Sequence, residues 1–389
     1  MSGAITFPPN PTVGQIFTSG GTTWQWNGTA WVNANTGTNF LPLTGGTMTG
    51  ALTLSGNAAT ALQATPLQQV NAVVAPAFND AGRSYINNGL FNIAQRGSGA
   101  FTANGYTLDR WLLAVSLDTA SVASGAVSDT NRAQIGDEAA TFYLGNTFTG
   151  NAGATAYTLL IQPIESVRRL ANKTVTVSFY ANASAALRLG VSLNQFFGSG
   201  GSPSASVSGT GQSVTLTTSF ARYSLSFTLP SVAGKTLGTN GNDNTGLNFW
   251  YSAGANNATT SGSVGVQSGT INLWGVQLEV GSVMTALDYG GTPQQQLAQC
   301  QRFYVSNTSQ LAVGFNSWAA GGFYYHPIFF PVQMRAAPTV TIVSTSNATN
   351  INSSAPNLQG PFGFSWYMVA TATGGTAITM NGYNASADL

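Results

Sequence analysis

Charge is what this sequence has least of. Only 6% of its 389 residues are charged, against roughly 25% in an average globular protein. The 12 Lys and Arg are nearly cancelled by 11 Asp and Glu, leaving a net charge of +1. A nucleic-acid binder replaces counterions with clustered Lys and Arg, and no such cluster is present. A single cysteine excludes an internal disulfide framework and any multi-cysteine zinc site. A single histidine excludes a histidine-rich metal centre. No run of about 18 apolar residues occurs, which excludes a transmembrane helix and membrane insertion. The opening residues Met1–Pro8 lack the basic and apolar regions of a secretory signal, so none is expected.

Hydrophobic residues, by contrast, make up 43% of the chain and aromatics 11%. That is too apolar for disorder, which needs low hydrophobicity and high charge. Polarity comes from Ser, Thr, Asn and Gln, with 46 glycines among them. Uncharged hydrogen-bonding groups must then keep the surface soluble. This composition suits a β-rich structural protein that acts outside the cell that makes it. The length predicts two to four units.

The first unit is a small β module over residues 1–35. Gly20-Gly21 and Asn27-Gly28 read as hairpin turns. Between them Trp24 and Trp26 share one strand face, and Trp31 follows the second turn. A unit this small is marginal alone. Residues 36–80 change texture: Gly/Thr-rich, then Gln/Ala-rich, with Leu52, Leu54, Leu62, Leu67 and Val70 at short intervals. Such an apolar stripe has no cover of its own and predicts burial between identical chains, as a shaft or linker.

Residues 81–290 form the largest unit. Runs with period two recur at 174–180, 187–193, 213–216, 222–229, 263–266 and 270–280. They predict half-buried antiparallel strands in a two-sheet, jelly-roll-like sandwich. One helix is predicted at 292–304, with Thr292 as N-cap, Pro293 at the first helical position and Gln295 three residues after the cap. Residues 305–389 then return to β patterning, and 291–389 make a C-terminal head. The expected fold class is all-β: N-terminal module, short shaft, sandwich, and head joined by a short helix.

Candidate residues divide into sharp and plain readings. Trp24, Trp26 and Trp31 are the core of a very small domain, an interface to another protein, or a stacking surface for sugars. Asp109-Arg110-Trp111 reads as a structural pair beside a core tryptophan, with Arg96 able to pair with Asp109. Asn242-Asp243-Asn244-Thr245-Gly246 has oxygen ligands but lacks the acidic count of a calcium loop, so it reads as a turn. His326 has no visible nucleophile or orienting acid, and Cys300 reads as buried and inert. No cofactor and no metal are implied. Glycoside cleavage needs two carboxyl groups flanking the bond. Asp137 and Glu138 are adjacent and would point to opposite faces of a strand.

Four phrases resemble tail fibres and receptor-binding proteins of tailed bacteriophages. Pro42–Leu52, PLTGGTMTGAL, is similar to the short repeat of fibre shafts. Ile86–Gly97 with Gly105–Trp111 resembles the opening of a carbohydrate-binding-like sandwich, whose pattern has Trp where this chain has Ala94. Val276–Ser282 leading into Leu297–Tyr304 resembles the end of that sandwich and the start of a head. Phe330–Val340 resembles a recurrent head strand. The resemblance implies a homotrimer held by its N-terminus to a tail or baseplate protein, with Trp24, Trp26 and Trp31 as the attachment candidates. It implies a C-terminal head that meets a host-surface glycan.

The head is rich in aromatics beside Asn and Gln, and Trp318, Tyr324 and Tyr325 are its candidate ligand residues. The expectation is a virion protein, assembled in the host cytoplasm, that adheres without catalysis. The alternatives are a tailspike depolymerase or a free carbohydrate-binding protein. The first would need a carboxylate pair and typically a long β-helix, whose repeats are absent.

Overall fold

Alternation and turn glycines set the first module. The computed structural model describes residues 5–34 and 83–389; the shaft or linker expected at 36–80 lies outside the described residues. The described residues fall into two compact units, one holding 5–34 and the other 83–389. In the first, β1 (Ile16–Ser19), β2 (Thr22–Trp26) and β3 (Trp31–Asn33) form one antiparallel sheet in that order. Gly20 and Gly21 both take positive φ, 60° and 80°, which a two-residue hairpin turn requires. Phe17 pairs with Trp24 and Trp26 with Trp31. Phe7 stacks on Trp31 at 5.3 Å and meets Trp24 edge-on at 5.5 Å. None of residues 5–34 is fully buried.

The second unit is almost wholly β. Its sandwich opens with β4 (Gly105–Tyr106), β5 (Leu112–Ser116), β6 (Thr119–Ala126), helix α1 (Asp129–Ile135), β7 (Phe142–Thr149) and β8 (Tyr157–Glu165). It continues with β9 (Thr174–Ala183), β10 (Arg188–Phe196), β11 (Val207–Ser208), β12 (Gln212–Thr215), β13 (Ala221–Thr228) and β14 (Asn244–Ala253). A short helix α2 (Ala258–Ser261) and the long β15 (Ser268–Val280) complete it. One sheet runs β11-β10-β14-β8-β5-β4, with β12 also beside β10. The other runs β13-β9-β15-β7-β6. The chain crosses repeatedly between the sheets, as the jelly-roll expectation required.

Period-two patterning points Val175, Val177 and Phe179 of β9 into the space between the sheets, against Leu247, Phe249 and Tyr251 of β14. Phe179 meets Phe249 edge-on at 5.2 Å across that space. Trp111 is fully buried and donates from Nε1 to the Asn88 carbonyl at 3.1 Å, so its reading as core holds. One expected strand is missing. Residues 263–266 alternate, yet Gly262, Ser263 and Gly265 all take positive φ and break the extended backbone. Val264 alone turns inward there.

The head begins with α3 (Pro293–Gln301), where the predicted capping box is complete: Thr292 Oγ1 accepts from Gln295 N, and Gln295 Oε1 accepts from Thr292 N. It then folds β16 (Tyr304–Asn307), β17 (Leu311–Ser317), β18 (Phe323–Phe329), β19 (Thr339–Ile342) and β20 (Thr345–Thr349). β21 (Ile351–Gly360), β22 (Gly363–Ala370), β23 (Gly374–Met380) and β24 (Tyr383–Ser386) follow. These make three three-stranded sheets: β16-β24-β19, β17-β23-β20 and β18-β22-β21. Trp366, Met368, Met334 and Ala385 lie at the centre of their shared core.

The few charges join head to sandwich. Asp388 is clasped by Arg96, through a hydrogen bond to its Oδ2, and by Arg110, 3.7 Å from its Oδ1. Arg110 is 1% exposed; it lies 3.5 Å over the Phe303 ring and donates to the Pro163 carbonyl. Arg96 lies 3.5 Å over Tyr304. Arg96 therefore pairs with Asp388 rather than with Asp109. Asp109 instead accepts from the backbone and side chain of Gln95, both at 2.6 Å. Burial pushes the Asp109 carboxyl up from its usual range, and these Gln95 bonds oppose the shift. Arg335 secures the same segment through the carbonyls of Ala387 and Asp388.

Removing one partner of a buried pair leaves the other charge uncompensated, at a cost of about 3 kcal/mol. Asp388→Ala should therefore lower unfolding stability by about 3 kcal/mol in denaturant titration. A loss under about 1 kcal/mol, the range of exposed pairs, would show that the clasp is not structural.

Candidate ligand groove

The outer face of the larger sheet carries a concavity. On each strand the residues alternate to those in the core face outward: Leu112 from β5, Leu159, Ile161 and Pro163 from β8, Gly246, Asn248 and Trp250 from β14, and Ser192, Asn194 and Phe196 from β10. Asn256, Asn257 and Thr260, at and just before α2, together with Ser208, Gly209 and Leu389, line the rest of a groove of about 450 Å³. No residue lining it has an ionisable side chain.

Its polar groups are held in place by one another. Trp250 donates from Nε1 to Ser192 Oγ at 2.9 Å and meets Tyr157 edge-on at 6.1 Å. Asn248 Nδ2 reaches Ser192 Oγ at 3.3 Å and Asn194 Oδ1 at 3.1 Å. Those bonds leave Asn248 Oδ1 and Asn194 Nδ2 available to a ligand. Gly246 makes this layout possible, because a Cβ there would lie 2.2 Å from Asn194 Oδ1. The result is an apolar floor with amides and hydroxyls at its sides. A sugar ring offers the matching surfaces, an apolar C–H face and a rim of hydroxyls.

The sequence-predicted residues lie elsewhere. Trp318 stands in the β17–β18 loop, 80% exposed. Tyr324 and Tyr325 are neighbours on β18 and point to opposite faces, so the three do not form one surface. Tyr324 stacks on Phe315 at 5.0 Å, whereas Tyr325 packs on Tyr367 at 5.0 Å. Trp24, Trp26 and Trp31 do come together, half-buried, with Phe7 and Phe17. Asp243 accepts from Val167 N at 2.9 Å and Asn242 from Ser199 N at 2.9 Å, so these side chains tie loops together. Among the described residues no group of three or more His, Cys, Asp or Glu side chains is placed to hold a metal. His326 lies beside Tyr324, with ring centroids 6.5 Å apart. The groove itself was missed. Its signal in the sequence is Asn248 and Trp250 two residues apart, interleaved with Leu247, Phe249 and Tyr251.

No protein-family model matches the chain, and no curated protein does. Solved structures that resemble it include a CBM4, at 17% identity and a TM-score of 0.30, covering 50% of this chain and 99% of that one. The enzymatically active domain of bacteriophage CBA120 tailspike protein 4 resembles it at 17% identity and a TM-score of 0.30, covering 52% of this chain and 22% of that one. A family 11 carbohydrate-binding module from Clostridium thermocellum, in complex with a β-1,3-1,4-mixed-linked tetrasaccharide, does so at 12% identity and a TM-score of 0.29, covering 48% and 98%. Likeness at this level assigns neither a ligand nor an activity.

Cys300 is 1% exposed, and burial pushes its thiol far up. It should not react with a thiol reagent at pH 8 in the folded protein and should react once per chain after unfolding. Fast labelling of the native protein would mean that the α3 packing is wrong.

Proposed function

We propose that this chain is a non-enzymatic adhesin of a phage tail, and that it binds an uncharged glycan in the groove on the larger sandwich sheet. The observation that carries the glycan assignment is the groove's lining: an apolar floor with Trp250, flanked by Asn194, Asn248, Asn256 and Asn257, and no ionisable side chain. Charged sugars would find no charged side chain there. Cleavage by two side-chain carboxyl groups would find none among the lining residues. Binding is reversible, and three copies acting together supply avidity.

The phage-tail assignment rests on the resemblance of Pro42–Leu52 and the sandwich and head phrases to tail fibres. In this reading three chains wind together through residues 36–80. The N-terminal module docks on a tail or baseplate protein through the cluster of Trp24, Trp26 and Trp31. Trp318, at a loop tip of the head, makes a second host contact. The protein then belongs to the virion and is assembled in the host cytoplasm.

Two measurements test this. In calorimetric titration with neutral oligosaccharides, Asn248→Ala or Trp250→Ala should weaken binding by about tenfold or more, because each removes about 1.4 kcal/mol or more of contact. Raising salt from about 0.05 to 0.5 M should change affinity less than about twofold, since no charged side chain lines the groove. Binding only to acidic glycans, with a steep salt dependence, would sink the groove assignment. For assembly, light scattering of the full chain should give a mass near three times 40.1 kDa. A monomer would sink the fibre reading and leave the groove untouched.

A further inference from the structure

The head carries a second surface whose chemistry differs from that of the groove. In the sheet β18-β22-β21 the side chains of β22 alternate cleanly: Phe364, Trp366, Met368 and Ala370 are buried, and Ser365, Tyr367 and Val369 turn outward. The register places Phe323, Tyr325 and Pro327 of β18 on that outward face, opposite Val369, Tyr367 and Ser365. Ala355 of β21 lies opposite Tyr367 on the other side. Phe323 is 58% exposed, Tyr325 39% and Phe329 77%; Phe362, in the turn beside Phe329, is 63% exposed. At roughly 200 Å² per ring, these four side chains alone expose roughly 500 Å² of apolar surface. That is at the upper end of what a monomer tolerates.

We propose that this face is a contact between copies of this chain. The first argument is charge. From Phe303 to Ala387 the only Lys, Arg, Asp or Glu is Arg335. Two copies therefore meet without like-charge repulsion, and nothing on the face selects a charged partner. A head this poor in charge, with its apolar face uncovered, is prone to indefinite association. A closed contact with its own copies removes that surface from water.

The second argument is ring geometry. Phe323 stands at 74° to Tyr325 and 42° to Tyr367, and Tyr325 at 39° to Tyr367. Tilted rings make no flat platform for a sugar, and Phe323, Phe329 and Phe362 offer no hydrogen bond.

The third argument is the edges. The outer strands β18 and β21 carry Pro327 and Pro356, each of which removes a backbone donor and hinders edge-to-edge strand addition. Association through this sheet must then use its face. A standard interface takes about 800 Å² from each partner. The roughly 500 Å² of the four rings supplies more than half of that.

This goes beyond the reading above, which places the contact between chains in residues 36–80, and it fails independently of it. The native thiol Cys300 is buried, so an introduced cysteine is the one accessible thiol among the described residues. Ala355→Cys puts that thiol on the exposed face, and Val283→Cys, at a position 72% exposed in the sandwich, is the control. In the purified full chain, Ala355→Cys should react with a maleimide at least about tenfold more slowly than Val283→Cys. The difference should vanish under any condition in which light scattering finds a monomer, as mass action requires. Adding Phe323→Asp should abolish it. Equal rates in the unmodified face overturn the proposal, whether the chain is trimeric or monomeric. Slow labelling that persists in a monomer means that another part of the same chain covers the face, and overturns it too. Slow labelling only after a glycan is added would make the face a sugar site and would also overturn it.

Discussion

The Arg110 guanidinium is the constraint around which the second unit is arranged. A buried charge is costly unless it is paired and hydrogen-bonded. Its partners come from three places far apart in sequence: the Pro163 carbonyl at the end of β8, the Phe303 ring at the start of the head, and Asp388 just past β24. The backbone at Arg110 takes φ 73°, a conformation that persists only where the surroundings over-determine it. Sandwich and head therefore do not orient independently. Leu389, which follows the clasped Asp388, lines the groove. The same ion pair that joins head to sandwich thus also positions part of the groove wall.

Strand β14 carries a second coupling. Its inward residues Leu247, Phe249 and Tyr251 belong to the core, and its outward residues Gly246, Asn248 and Trp250 form the groove floor. A register shift between Trp250 and Ser252 marks a bulge against β8. Bulges re-aim side chains next to functional surfaces. Here it comes right after Trp250, whose indole is held by Ser192. Floor and core are thus two faces of one strand, so the groove floor is fixed by the packing of the sandwich. A preorganised groove loses little ordering entropy on binding, which matters most when no charge adds affinity.

What could be read from the sequence was local. The capping box at Thr292 and Gln295 depends on residues three apart, and the helix followed. The Gly20-Gly21 turn and the alternation over 174–180 and 222–229 likewise needed no distant information. The groove strand was harder. β14 is buried on both faces except at its first residue, so its polar and apolar residues mix rather than sort by exposure. Arg96 looked toward Asp109 because that residue is near in sequence; its actual partner, Asp388, is near only in space. The aromatic richness of the head was visible, but not its division. Once β18 is a strand, adjacent Tyr324 and Tyr325 must separate to opposite faces, one against Phe315 and one outward.

Scarcity of charge links these features. Residues 1–79 contain no Lys, Arg, Asp or Glu at all. Of the few charges that follow, Arg96, Arg110, Asp109 and Asp388 are sequestered at the junction of sandwich and head. Other charges, such as Asp129, Glu138, Lys173 and Lys235, are exposed on the sandwich, but the groove and the outward face of β22 present amides, hydroxyls and rings. Such a surface exerts little attraction beyond contact distance, so encounter is not steered. Under the proposed glycan reading, recognition would come from shape, from short hydrogen bonds of the kind Asn248 and Asn194 can make, and from repetition of the same weak contact. Repetition requires copies held at fixed spacing. An uncharged apolar face is well suited to hold them, since it meets its own copy as readily as any partner and gains from water exclusion each time.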